Sequence, residues 1–171
     1  MKILICGFMG AGKSTFLKKM QPNKLGYDCI DLDHALANDF GIHPDRLGEW
    51  ILQNGFPLFR DKEKTKLKKL IRHDNSLVIA LGGGSLNPEI FSMIEKTSDC
   101  YLVFLDTSIE VCIERIRGEK NRPLSNISES ELFALYESRA QDYEKADIRL
   151  NEQEIKEIEG LEALVHNLLG S

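Results

Sequence analysis

A chain of 171 residues is long enough to bury one real core and too short for two, so residues 1–171 read as a single domain. Its 42% hydrophobic and 29% charged residues are those of an ordinary soluble globule, and a net charge of −5 argues against general nucleic-acid binding, which needs a basic face. No apolar run approaches membrane-spanning length and the N-terminal apolar stretch is too short for a signal peptide, so a cytoplasmic protein without a membrane partner is expected.

The first element is the apolar run Ile3-Leu4-Ile5-Cys6, of strand character. It leads into Gly7-Phe8-Met9-Gly10-Ala11-Gly12-Lys13-Ser14-Thr15, which fits G-x-x-x-x-G-K-[ST] at every fixed position. The three glycines let the backbone bend with its N–H groups turned inward, and Ser14 opens a helix whose positive end faces the same point. This makes a phosphate cradle. Lys13 supplies a charge for the β- and γ-phosphates of a nucleotide, and the Ser14 hydroxyl is a hard oxygen of the kind Mg²⁺ takes.

The first helix is predicted to run from Ser14 to about Met20, stopping before Pro22. After a turn at Gly26, Tyr27 to Asp31 reads as a short strand. Helical spacing covers His34 to Phe40 with Gly41 as cap, and Pro44 to Gln53 closed by Gly55. A long lysine-rich helix follows from about Pro57 to His73, its Lys62, Lys64, Lys66, Lys68 and Lys69 forming a solvated face. Leu77 to Leu81 is a buried parallel strand that runs into Gly82-Gly83-Gly84. Asn87-Pro88 starts a helix, Tyr101 to Leu105 is a strand, and Ser108 caps a helix ending near Gly118. Ser128-Glu129-Ser130-Glu131 has the form of a capping box before a helix to about Lys145. Ile148 to Leu150 gives a last strand and Glu154 to Leu169 a last helix.

Strands alternating with helices imply an α/β domain with a parallel sheet, whose ligands bind at the carboxyl ends of the strands. Gly7 to Ser14, Asp31 to Asp33, Gly82 to Gly84 and Asp106 all fall at that edge. Residues two apart at a strand end point the same way, so Asp31 and Asp33 can both face the cradle, one near Mg²⁺ and the other accepting a proton or hydrogen bond from an acceptor hydroxyl. Alternatively, they terminate the strand and cap the next helix. The stretch from about 118 to 128, aperiodic and carrying Arg122, is a candidate lid. Arg60, Arg115, Arg122 and Arg139 have the planar fork suited to carboxylate and phosphate groups. Cys6, Cys29, Cys100 and Cys112 form no Cys-x-x-Cys pair and read as buried free thiols.

Taken together, these motifs resemble the shikimate kinase family. The residues that carry the resemblance, in order, are Gly10-Ala11-Gly12-Lys13-Ser14-Thr15, Asp31-x-Asp33, Phe59-Arg60-x-x-Glu63, Gly82-Gly83-Gly84, Arg122-Pro123-Leu124 and Arg139-x-x-x-Tyr143. The resemblance implies a three-layer, nucleoside-monophosphate-kinase-like P-loop fold. Its short five-stranded parallel sheet would be flanked by helices, with an acceptor-binding helical region over about 33–61 and a lid loop. It implies transfer of the ATP γ-phosphate to the 3-hydroxyl of shikimate by an enzyme read here as a monomer. Asp33 would contact the ring hydroxyls as base or orienter, and Asp31 would support Mg²⁺ beside Ser14. Arg60 and Arg139 would clamp the carboxylate with Glu63 orienting Arg60, and the Gly82–Gly84 backbone would touch the substrate. Arg122 would close over the phosphates and Arg115 would lie against the adenine. The chain departs from the family pattern at Gly55-Phe56, where Gly-Glu is usual, and at Ile51, where an aromatic is common, with Trp50 beside it. It also has Ser125 after Arg-Pro-Leu, and the likeness fades after Ala146, where Gln153 is the candidate adenine contact. A kinase of another small acceptor would not need the two-arginine clamp, and Asn23-Lys24-Leu25-Gly26, lacking the required aspartate, argues against a guanine-nucleotide switch.

Overall fold

β1 (Lys2–Cys6) is buried along its whole length, as a central strand covered on both faces must be. It pairs in parallel with β3 (Leu77–Ala80) on one side and β4 (Cys100–Asp106) on the other, with Ile3 opposite both Val78 and Tyr101. β2 (Asp28–Asp31) extends the sheet beyond β3, and β5 (Ile148–Asn151) beyond β4. The order is therefore β2-β3-β1-β4-β5, five strands and all parallel. The computed structural model describes residues 1–21, 23–118 and 127–170. Among them the helices are α1 (Lys13–Met20), α2 (Leu32–Asp39), α3 (Leu47–Asn54), α4 (Phe56–Arg72), α5 (Pro88–Glu95), α6 (Ile109–Gly118), α7 (Glu129–Tyr143), α8 (Glu152–Glu157) and α9 (Leu161–Leu169).

The topology positions the site. From β1 the chain crosses to β2 at one edge of the sheet, whereas from β4 it crosses to β5 at the other. The connections after β1 and β4 thus diverge, and a crevice opens between them at the carboxyl edge. Beneath it Leu4, Ile5, Ile79, Val103 and Leu105 are fully buried and form a rigid floor.

Several sequence expectations need correction. The segment expected as one helix from Pro44 is a 3-10 turn, Pro44–Arg46, followed by α3. Gly55, at φ +88, lies between α3 and α4, and this left-handed kink lets two helices abut with no intervening loop. The last helix is split. Asn151 and Glu154 form a capping box that starts α8 at Glu152, and Lys19 Nζ donates to the carbonyls of Ile155 and Lys156 at 2.9 and 3.3 Å, ending it before Ile158. Ile158 and Leu161 are both buried, so the break between α8 and α9 is fixed by packing. The lysine face of α4 is not wholly solvated: Lys66 pairs with Asp39 at 2.9 Å, and Lys64 and Lys68 both pair with Glu89. Cys6 and Cys112 are buried as expected, but Cys29 and Cys100 are only half-buried. No described helix is long and apolar enough to cross a membrane.

Candidate active site

A cleft of about 790 Å³ lies at the carboxyl edge of the sheet, with the glycine loop at one end and the start of α4 at the other. At the loop end α1 begins directly after Gly12, and no side chain caps it, as none caps α3, α4 or α9; of these starts, only that of α1 follows the glycine loop. Its first N–H groups are left for a ligand, and the helix dipole selects an anion. Gly10 has φ +81, and a Cβ there would stand 2.6 Å from the Cys112 carbonyl oxygen, so only glycine allows the loop to lie on α6. Thr107 donates to the Ala11 carbonyl at 3.0 Å and Arg115 Nη1 to the Gly10 carbonyl at 2.9 Å, bracing the loop from outside. Lys13 Nζ donates to the Gly7 and Phe8 carbonyls, both at 2.8 Å, which keeps its ammonium over the loop. Ala11, Ser14 and Thr15 also face the cleft.

Asp31 caps the next helix and also faces the phosphate loop. Its Oδ1 accepts from the Asp33 and His34 N–H groups and caps α2, while its Oδ2 accepts from Ser14 Oγ at 2.6 Å. The side chain is thereby locked by the helix it starts and turned toward the phosphate loop. Asp33 does not sit on the strand: β2 ends at Asp31, and Asp33 enters the cleft from the first turn of α2. Burial, then the charges of Glu63 and Asp31, push its carboxyl up to about 6, against the pull of Lys13 and Arg60. Mg²⁺ keeps much of its shell as water and phosphate oxygen and takes only one or two protein oxygens. Ser14 and Asp31 match that donor set; no cage of three His, Cys, Asp or Glu ligands exists among the described residues, and Mg²⁺–nucleotide binding does not call for one.

The far end of the cleft is cationic. Arg60 Nη1 donates to Glu63 Oε2 at 2.5 Å, one helical turn along α4. Arg139, on α7, donates from Nη1 to the Gly83 carbonyl at 2.9 Å, and the Tyr143 hydroxyl joins it on that oxygen at 2.8 Å. A Cβ built on Gly84 would stand 2.7 Å from Arg60 Nη2 and 2.8 Å from Arg139 Nη2, so the two guanidinium groups flank one point. Burial, reinforced by the neighbouring Arg60 charge, lowers the Arg139 pKa although Tyr143 opposes the shift. Glu63 neutralises only part of this pair, and a carboxylate is the group whose two oxygens best answer two forks. Arg139 stands beside the cleft wall, against Gly83 and Gly84, while Arg60, Gly82 and Gly83 lie on the wall itself. Ile51, Phe56 and Phe59 line it as an apolar patch; Trp50 instead stacks on Phe40 at 4.0 Å.

The structure brings Lys13, Ser14, Asp31, Asp33, Arg60 and Arg115 into one cleft. Arg122 and most of the predicted lid, residues 119–126, lie outside the described residues. Sequence reasoning missed Ser85, buried behind Gly82 after the glycine run, and Thr107, just past the end of β4; an isolated hydroxyl residue in either place carries no signal that separates it from a turn residue. Gln153 is directed away, donating to Glu157 at 2.7 Å, and Glu152, Ile155 and Lys156 line the cleft near Arg115 in its place.

The family model described as shikimate kinase matches residues 9–169. The chain belongs to the shikimate kinase family. Shikimate kinase from Persephonella marina is 33% identical over 149 residues, covering 87% of each chain. Shikimate kinase from Aquifex aeolicus is 31% identical over 175 residues, covering 99% of each. Among solved structures, shikimate kinase from Acinetobacter baumannii in complex with shikimate superposes with a TM-score of 0.82 at 26% identity, over 99% of this chain and 93% of that one. The shikimate kinase match therefore continues well past Ala146, which corrects the expectation that the likeness fades there, and it takes in α8 and α9.

Proposed function

We propose that this chain is a monomeric, cytoplasmic, Mg²⁺-dependent kinase that transfers the γ-phosphate of ATP to the 3-hydroxyl of shikimate, releasing ADP and shikimate 3-phosphate. The observation that carries the reading is the pairing of two unlike anion sites in one cleft. An uncapped, glycine-lined helix start with Lys13 takes phosphates, and Arg60 on the far wall, with Arg139 beside that wall across Gly84, takes a carboxylate. Asp33 lies within electrostatic reach of both Lys13 and Arg60, where a hydroxyl between the two anions would sit.

In this reading the acceptor oxygen attacks the γ-phosphorus, the bond to the β–γ bridging oxygen breaks, and the hydroxyl proton passes to the Asp33 carboxylate. Lys13 and the α1 N–H groups hold the phosphates in line, which is most of what phosphoryl transfer asks of a protein. Ser14 and Asp31 would hold Mg²⁺, whose charge offsets that of the phosphate oxygens. Arg115 borders the adenine region, and the helical segment 33–61 with Arg60 forms the acceptor wall. The direct test is ADP release over a panel of hydroxylated acids, with the product identified by mass and phosphorus NMR. Release that depends on shikimate and yields the 3-phosphate is expected; release equal across the panel, or none, overturns the proposal.

Arg60→Lys keeps the charge but loses the fork. It is expected to weaken acceptor binding by about 1.5–3 kcal/mol, the worth of a charge-assisted hydrogen bond, with the KM for ATP unchanged. An unchanged KM for shikimate in this variant would remove Arg60 from the acceptor site.

A further inference from the structure

Glu63 has two carboxylate oxygens, and both are occupied. Oε2 accepts from Arg60 Nη1 and Oε1 accepts from Ser85 Oγ, each at 2.5 Å. Glu63 is 2% exposed and Ser85 4%, so the bond between them is closed off from bulk water. A serine has one hydroxyl proton, and the Gly82 carbonyl, at 2.9 Å, is its other acceptor. The ionised carboxylate is both the nearer and the stronger acceptor. The Ser85 N–H already donates to that Gly82 carbonyl at 3.1 Å, so the turn closes without the hydroxyl. Gly82 itself has no room for a side chain: a Cβ there would collide with Glu63 Oε1 and stand 3.0 Å from Ser85 Oγ.

The geometry points to Ser85 as a positioning residue for acceptor recognition: its hydroxyl fixes Glu63, and Glu63 in turn aims the Arg60 guanidinium past Gly84. This rests on the reading of Arg60 as a carboxylate ligand. The chain Ser85–Glu63–Arg60 ties the glycine turn after β3 to α4, so the two walls of the acceptor end hold one register. Without the Ser85 hydroxyl, Oε1 loses its donor in a buried place, Glu63 turns, and Arg60 loses the partner that orients it. Ser85 does not touch the acceptor; it acts through two other side chains.

The test is a double-mutant cycle read in steady-state constants for wild type, Ser85→Ala, Glu63→Gln and the double variant. Ser85→Ala is expected to raise the KM for shikimate about tenfold, the size of one charge-assisted hydrogen bond, with the KM for ATP within about twofold of wild type. In the Glu63→Gln background the same change should add less than about twofold, because the link it supports is already broken. A purely structural role would lower the active fraction and kcat without this split. If Ser85→Ala is recovered only unfolded, Ser85→Cys, which fills the site with a weak donor, carries the same comparison. An unchanged KM for shikimate, or KM effects that multiply in the double variant, would overturn the positioning role. Absence of shikimate-dependent ADP release in wild type would instead overturn the functional reading, and this inference with it.

Discussion

Asp33→Asn is expected to lower kcat on the order of 10³-fold while making the unliganded protein more stable at pH 8. The first effect follows from the proposed role, since an amide cannot take the hydroxyl proton and general-base groups contribute about 10²–10⁴-fold. The second follows from the raised carboxyl. Between the ordinary aspartate value and about 6 the folded state holds a proton that the unfolded state has lost, so this group's cost to folding grows as pH rises and is complete above about 6. Removing the charge at pH 8 should therefore stabilise the fold by about 3 kcal/mol, and the gain should vanish near pH 4. In wild type the same titration gives an acid limb in kcat/KM for shikimate near pH 6, absent from the residual activity of the variant. Denaturant unfolding at the two pH values, with a pH–rate profile, checks all three. A variant no more stable than wild type at pH 8 would show that Asp33 is not held against its charge.

Lys13→Ala is expected to cost 10²-fold or more in turnover through loss of a preorganised charge at the phosphates. Ser14→Ala should be comparably impaired and need a higher Mg²⁺ concentration for half-maximal rate. Neither change removes core: Ser14 is exposed and Lys13 half-buried, so the thermal midpoint without ligand should stay close to that of wild type. Stopped-time ADP assays with a Mg²⁺ titration measure the effect. Near-normal turnover in either variant would overturn the nucleotide site.

Much of this molecule was legible in its sequence because the informative signals are local. Runs such as Ile3–Cys6 and Leu77–Ala80 are short and wholly apolar, which buried parallel strands require, and the glycine-lysine-serine pattern is contiguous. What was not legible depends on partners distant in the chain. Lys19 ends α8 from 136 residues away, and no periodicity within residues 154–169 records that. The pairing of Lys66 with Asp39 and of Lys68 with Glu89 spans 27 and 21 residues, so the face of α4 looked fully solvated. Asp33 lines the cleft from the first turn of α2 and not from the strand the sequence suggests, because the strand-to-helix change at Leu32 depends on the Asp31 cap. Ser85 gains meaning only once the fold brings Glu63 to it.

In the proposed function, two arginines around Gly84 read the acceptor's carboxylate while the phosphate loop presents ATP. The measurement that tests it most directly compares shikimate with its methyl ester across wild type, Arg60→Lys and Arg139→Ala, by kcat/KM. Wild type should prefer the acid by about 10²-fold, the loss of one or two charge-assisted hydrogen bonds, and each variant should give up most of that preference. Equal preference for the acid in all three proteins, or none in wild type, would remove both arginines from carboxylate recognition.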